Sequence, residues 1–524
     1  MAQSSFLKGT LIITAATIIS KFIGSIFQIP LQNIAGDKVL GIFGLVYPVY
    51  MIALILSVAG IPIAISKLIS EARGAKREHE IGDIFHSASV LALIFGVVSF
   101  TIMFVFSKPI SILLGGEFTR PAVIIVSFTL LVAPYMAVYR GFFQGFEDMK
   151  PTAVSQVIEQ FVRVILILSI AYFLVKKGES NEIIAGGVMV GSAVGALFSL
   201  IYLRTLYTKF KARPVGMKSF SMNIFRQWAK RILTLSIPIA IGTLTMALLN
   251  LVDSVTIPHS LTWAGIHTEE VQQQLGLYRR GVSLVGIASV FSSAVILPLI
   301  PTITKAMAQN EVELANNYIV RSLKYAHLVS WPAAIGLLAL TMPVNRALFT
   351  DFQGSDVIAI INFSSVFSSL TILTTGILQG LNRSKLAAWI IVIGAVLKGI
   401  FNLIFVAQTG IMGAAYATLL IYILLTVVNI SFIFQTTKYN IWRKETLVFV
   451  GASIIMGFVV FAPMFYFTVT DFSRIQSMLY LVVIVPIGAL VYAILVIVGK
   501  GLSNEELLAF PVIGRYIRKL QRHN

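Results

Sequence analysis

Five cations in this chain stand where cations are costly. Lys21, Arg163 and Lys398 lie inside long apolar stretches, and Arg279 and Arg280 open another. A charge at the centre of a bilayer costs about 3 kcal/mol or more, so such residues face a partner or a wet cavity. Buried ammonium and guanidinium groups suit an anionic cargo. Guanidinium adds a planar fork that donates two parallel hydrogen bonds to phosphate. Lys21 falls midway through the first apolar stretch, too deep for its head to snorkel to water, and reads as a cation facing a central cavity. Arg279 and Arg280 follow Tyr278 at the start of the eighth stretch. Neighbours on a helix point in different directions, so one of the two faces headgroups and the other the cavity. Arg280 is taken as the cavity residue.

The acids are fewer. Glu159 precedes Arg163 by four residues, the favourable order for a helical ion pair, and the two read as self-neutralised. Lys398 has Gly394 at the matching position, so its partner must come from another helix. Asp253, near the end of the seventh stretch, is the expected partner. Enzymatic chemistry is poorly supplied. The chain has six histidines, no cysteine and 22 acids, with no HExxH, no paired acidic loop motif and no Gly-rich phosphate loop. Disulfides, thiolate metal sites and cysteine nucleophiles are therefore excluded. His259, His267, Glu269 and Glu270 form the sole candidate cluster for a membrane-bound enzyme, and a solvated outer loop accounts for them. Neither an enzyme nor a cofactor is expected.

The elements that must hold these residues are membrane helices. The chain is 57% hydrophobic and 12% charged, with a mean hydropathy of +0.89. About fourteen apolar runs are long enough to cross a hydrocarbon core of roughly 30 Å. They fall near 10–34, 40–66, 84–107, 121–146, 152–175, 183–206, 232–258, 277–304, 318–343, 357–380, 386–408, 411–436, 446–468 and 478–499. The first is not read as a cleaved signal peptide, because the apolar run resumes after Lys21 and no small-residue cleavage site follows. The net charge of +18 sits mostly in loops. It fits anionic lipid headgroups better than nucleic acid, which is not expected as a partner. Cations crowd alternate loops, which places both termini in the cytoplasm.

The sequence GFFQGFEDMK at 141–150 returns as GILQGLNRSK at 376–385, and the same offset carries Arg163 onto Lys398. Six spans separate the copies, so both run in the same direction. The fold class expected is an all-α polytopic membrane protein, with two six-helix lobes related by an axis along the membrane normal and two added C-terminal helices. The boundaries expected are a first lobe at 1–206, a basic cytoplasmic linker at 207–231, a second lobe at 232–436, the last two spans at 437–499 and an amphipathic basic tail at 500–524. Met217 to Trp228 and the segment opened by Ser503 and Glu506, a capping-box pattern, are expected to lie at the headgroup level. Prolines 48, 62, 134, 238, 298, 301 and 332 should loosen or kink their spans. Gly187, Gly191 and Gly195 form a small-residue stripe suited to close packing within a lobe.

With these motifs in place, the chain resembles the multidrug/oligosaccharidyl-lipid/polysaccharide exporter superfamily, and within it the stage V sporulation protein B-like polysaccharide-transport branch, neighbouring the lipid II flippases. The matching signatures are Ser20-Lys21-Phe22-Ile23-Gly24, then Tyr139-Arg140-Gly141-Phe142-Phe143-Gln144-Gly145, then Tyr278-Arg279-Arg280-Gly281 with Ile296-Leu297-Pro298. The likeness covers essentially the whole chain, and its specificity lies in the order of motifs that are individually weak.

The resemblance implies fourteen helices around a cationic cavity in a bacterial cytoplasmic membrane. It implies translocation of an undecaprenyl-pyrophosphate-linked cell-wall or polysaccharide precursor. Lys21 and Arg280 inherit the family's pyrophosphate-binding role by motif position, with Arg279 assisting, and the last two spans would form a groove for the lipid tail. Where the flippases carry an Arg-Asp pair this chain has Phe27-Gln28, so Gln28 enters the substrate set. Some relatives bind sodium in the second lobe. Here Lys398 precedes Asn402, and its ammonium can take the ion's place; Asn250, Asn402 and Thr418 are the residual candidate ligands. No metal is expected with confidence. The chain is expected to act as a monomer, with cell-wall polymerases or synthases as candidate partners. Two alternatives stand beside the flippase: an organic-cation antiporter of the same fold, which needs a buried acid, and a non-transporting partner of a cell-wall synthase.

Overall fold

The computed structural model describes residues 2–58, 60–213, 221–437, 444–503 and 506. In the first half the helices are α1 (Ala2–Ile26), α2 (Gln28–Val58), α3 (Ile61–Gly74), α4 (His79–Val105), α5 (Ser107–Leu113), α6 (Arg120–Gly145), α7 (Lys150–Lys177) and α8 (Asn181–Lys209). The second half has α9 (Met222–Trp263), α10 (Thr268–Ala288), α11 (Val290–Ala308), α12 (Val312–Ala339), α13 (Thr341–Phe349), α14 (Ser355–Gly380), α15 (Ser384–Thr409) and α16 (Ile411–Thr437). Two more follow, α17 (Lys444–Phe461) and α18 (Arg474–Val498). No strand occurs among the described residues. Among the described residues ten stretches are long and apolar enough to cross a membrane, eleven when α12 is joined to α13 across its 78° bend. Grouped across their breaks, the helices are consistent with fourteen passes.

The breaks have local causes. The first span reaches past α1 into the start of α2 and reverses at Gly36, whose φ of 79° and ψ of 176° no side chain adopts easily. The turn expected over five residues is thus made by one. Gly60, at φ 83°, ends the next span's first segment, and Pro62 restarts it in the first turn of α3, where a missing N–H is harmless. Pro48, Pro134 and Pro332 stay inside continuous helices, α2, α6 and α12. The side chains of prolines 238, 298 and 301 lie outside the described residues. Helix α10 starts nine residues before the expected span, so Arg279 and Arg280 sit well inside it.

The sequence repeat is also a geometric one. Both copies close a helix, α6 and α14, and both then turn through a left-handed residue, Glu147 at φ 62° and Asn382 at φ 60°. Glu147 N–H donates to Gln144 O at 2.9 Å, and Asn382 N–H to Gln379 O at 3.1 Å. The motif glycines let α6 approach α3 and α14 approach α11. A Cβ on Gly145 would meet Ile69 Cβ at 2.7 Å, and one on Gly380 would meet Ile303 Cβ at 3.1 Å. Between membrane helices, where apolar contact with lipid is no worse than with protein, such close approach is what favours association.

Two apolar cores follow. One, with Ile65, Ile84, Phe142 and Leu203, joins α3, α4, α6 and α8. The other, with Ile303, Ile319, Leu373, Ile391 and Ile421, joins α11, α12, α14, α15 and α16. The Gly187, Gly191 and Gly195 stripe packs α8 onto α7 inside the first half. Trp228, expected among headgroups, is instead buried in the first core, with Ile224 and Phe225 against it; residues 217–220 lie outside the described set. The Ser503–Glu506 capping box forms, and Glu506 also accepts from Lys324 Nζ at 2.6 Å. The rest of that segment, including Leu507, Leu508 and Phe510, is outside the described residues.

Candidate substrate-binding cavity

A cavity of about 690 Å³ lies between the halves. Its walls come from α1, α2, α6 and α7 on one side and from α9, α10 and the start of α11 on the other. Three cations and one carboxylate line it: Lys21, Arg140, Arg279 and Glu159. Lys21 is exposed to this space and has no acidic partner among the described residues. Arg279 donates from Nε to Gln28 Oε1 at 2.9 Å, with no carboxylate in ion-pair contact among the described residues. Gln28 is 6% exposed, so the amide that replaces a charged residue here is committed to orienting the arginine. Tyr47, Gln156, Gln160 and Asn250 add polar surface. A chamber with this lining attracts anions and offers them one ammonium and two guanidinium heads.

Arg280 does not face the cavity. It is fully buried, and its Nε donates to Asp37 Oδ1 at 2.7 Å while Nη2 donates to Asp37 Oδ2 at 2.5 Å. Its Nη1 reaches Asp351 at 2.7 Å and Asn345 at 3.1 Å. The helix turns about 100° per residue, so the expected choice between the two arginines is reversed. Arg280 ties α10 to α2 and to the α13–α14 connection. The same seam brings Lys38 Nζ to Glu269 Oε2 at 2.8 Å, and this ammonium holds the Glu269 carboxyl below its usual range. It also closes backbone on backbone: a Cβ on Gly41 would meet Gly276 N at 2.9 Å.

The Glu159–Arg163 pair does not form either. Glu159 Oε2 accepts from Arg140 Nη2 at 2.7 Å, and Arg140 also donates to Ser155 and Ser199. Arg163 turns away, over the Tyr47 ring at 5.3 Å. In the second half Lys398 Nζ meets Asp253 Oδ2 at 2.6 Å. Asn402 Nδ2 donates to Asp253 Oδ1 at 3.0 Å, and the Tyr278 hydroxyl donates to Oδ2 at 3.0 Å. Tyr278 and Thr418 share a hydrogen bond of 2.7 Å. Asn250 lines both the cavity and a small void shared with Asp253 and Tyr278. A small void behind Arg279 reaches Asp253 and Tyr278, so the cluster sits one side chain from the cavity wall. No group of three or more His, Cys, Asp or Glu that could hold a metal occurs among the described residues. His259 bonds to Leu113 O, apart from Glu269 on Lys38.

Comparison with known proteins decides the family. A model described as "Polysaccharide biosynthesis protein" matches residues 6–307. The chain belongs to the polysaccharide biosynthesis protein family. It is 29% identical to the lipid II flippase MurJ of Bacillus subtilis over 522 residues, covering 94% of each chain. It is 27% identical to stage V sporulation protein B of the same organism over 537 residues, covering 99% of this chain and all of that one. A solved structure titled "Lipid II flippase MurJ, inward closed conformation" superposes with a TM-score of 0.66 at 17% identity, covering 93% of this chain and 98% of that one. The fold is shared with that solved flippase structure, and the chain is a multi-span membrane protein of the polysaccharide biosynthesis protein family.

Within that family frame, several members of the site escaped sequence reasoning. Arg140 stood immediately before the repeated motif, but its exposure to the cavity depends on where α6 meets α7. Tyr278 carried a signal, being a phenol beside two arginines. Asp37, Asn345 and Asp351 lie in turns or short segments that read as ordinary loops.

Proposed function

We propose that this protein is a flippase for a polyprenyl-pyrophosphate-linked cell-wall or polysaccharide precursor in a bacterial cytoplasmic membrane, working by alternating access. The single observation that carries the reading is a polar-lined cavity between the halves in which Lys21 and Arg279 have no carboxylate partner among the described residues. Diphosphate supplies what they lack. Arg279, pre-aimed by Gln28, offers the fork, and Lys21 offers a mobile point charge. Arg140 is partly neutralised by Glu159 and contributes less. The sugars would occupy the remaining polar lining, and the polyprenyl tail would stay in lipid beside α17 and α18.

With the termini cytoplasmic, the orientation that the loop cations favour, the Asp37–Arg280–Asp351 seam would face outward, and it is closed here. Release outward then requires that seam to part. The organic-cation alternative needs a free acid in the cavity, and Glu159 is already paired. Complementation of a strain lacking its lipid II flippase, with precursor assayed in each leaflet, tests the proposal. K21Q combined with R279Q should abolish rescue at normal protein levels. Full rescue by that double variant would refute the assignment.

A further inference from the structure

Arg163 is a buried cation without the counter-charge its position demands. It is 8% exposed, on α7 at the packed face of α8. Gly191 and Gly195 permit that approach, since a Cβ on Gly191 would meet the Arg163 carbonyl at 2.7 Å. The guanidinium Nε and Nη2 are buried and find no acceptor among the described residues. These two nitrogens donate along one edge of the fork. It is the same edge with which Arg280 grips both oxygens of Asp37. In Arg163 that edge is open.

No carboxylate among the described residues forms an ion pair with it. Glu159, one turn away on the same helix, is engaged by Arg140 at 2.7 Å. Arginine does not release its proton, and a buried charge left unpaired is strongly unfavourable. The matching position of the repeat shows what the fold does otherwise: Lys398 has Asp253 at 2.6 Å. Hydroxyls stand in place of a carboxylate. Tyr50, 2% exposed, is within electrostatic reach of Arg163 and adjoins Thr129. The Tyr47 hydroxyl is also in hydrogen-bond contact with the guanidinium. An open guanidinium edge beside neutral hydroxyl donors is a receptor for an anion, whereas a cation or neutral ligand would leave the charge uncompensated.

We propose that Arg163 holds a small monovalent inorganic anion, chloride in ordinary media, inside the first lobe behind Tyr47. The anion supplies there the counter-charge that Asp253 supplies in the second lobe. Tyr47 belongs both to the cavity wall and to the Arg163 site, which makes the cavity the route of entry. The proposal is independent of the cargo assigned above, because it concerns a group behind the Tyr47 ring and not one that lines the cavity.

The test uses the full chain in nanodiscs, with chloride exchanged for gluconate at constant ionic strength. Thermal unfolding of the wild type should rise by about 4 °C or more as chloride saturates, with bromide able to substitute. R163M should abolish that dependence, while K21Q and R279Q retain it. A wild type indifferent to chloride, or an R163M protein with the full shift, would overturn the proposal. Loss of the shift in K21Q or R279Q with its retention in R163M would overturn it as well, by placing the anion in the central cavity. Should R163M not fold, Y50F must raise the chloride concentration at half-effect at least threefold. In addition, anomalous scattering from bromide-soaked wild-type crystals must fall beside Arg163.

Discussion

A rotation of about 100° separates Arg279 in the cavity from Arg280 in the packed seam, and the two substitutions should behave oppositely. R279Q is expected to lower precursor translocation at least tenfold while leaving the unfolding temperature nearly unchanged. R280Q leaves Asp37 and Asp351 without their cation and should cost about 3–5 kcal/mol of stability, read by thermal unfolding in detergent. Lys398 and Asp253 form the second case. Each single alanine substitution strands a buried charge, at a similar cost of about 3–5 kcal/mol, whereas the double variant should lose much less than the sum. Strict additivity would show that the contact carries no coupling. Asp253 was legible in the sequence as an acid at the right depth for a partnerless lysine. The true partner of Glu159 was not, because i,i+4 spacing suggests a neighbour on the same helix and Arg140 arrives through space.

At the level of elements, the glycines that let helices touch are the fold's moving parts as well as its joints. Gly41 and Gly276 bring α2 and α10 to backbone contact at the Asp37 seam. Gly276→Val should wedge it apart, and a cysteine placed at Gln273 should then react faster with an impermeant thiol reagent added from outside. Unchanged labelling would mean that this seam is not the outer closure. At the other end, the Glu506–Lys324 contact staples the C-terminal segment to α12. Burial raises the Glu506 carboxyl, but the Lys324 ammonium and the Ser503 N–H outweigh it and hold the group below its usual value. A depressed carboxylate stabilises above its unfolded pKa and ceases to do so as pH falls through the folded one. Detachment of the tail on acidification below the ordinary glutamate range, followed by protease sensitivity after residue 503, is therefore expected, and E506Q should show it already at neutral pH. Helix identities were readable from run length, but helix ends were not. Gly36 turns the chain in one residue, and α9 and α10 run past their apolar cores on polar residues.

For the molecule as a whole, the Lys398 ammonium lies where Asp253 and Asn402 would otherwise offer oxygens to a cation. Translocation should thus be indifferent to replacing external sodium by potassium, and a sodium-dependent rate that survives in K398A would contradict this. An empty cavity with net positive charge is drawn inward by the membrane potential, at roughly 2.3 kcal/mol per charge per 100 mV, so collapsing the potential should slow turnover.

The sequence alone determined that the chain is a membrane bundle with an internal repeat, since run length and hydropathy are local properties that any lipid-soluble helix must display. It also determined that cations lie at membrane depth, and it made Asp253 the most plausible partner for Lys398. Which of two adjacent arginines sees the cavity, which cation Glu159 answers, and that Arg163 is left open were decided by tertiary structure. Those outcomes depend on helix rotation and on side chains meeting across the bundle, and spacing along one helix carries no information about either.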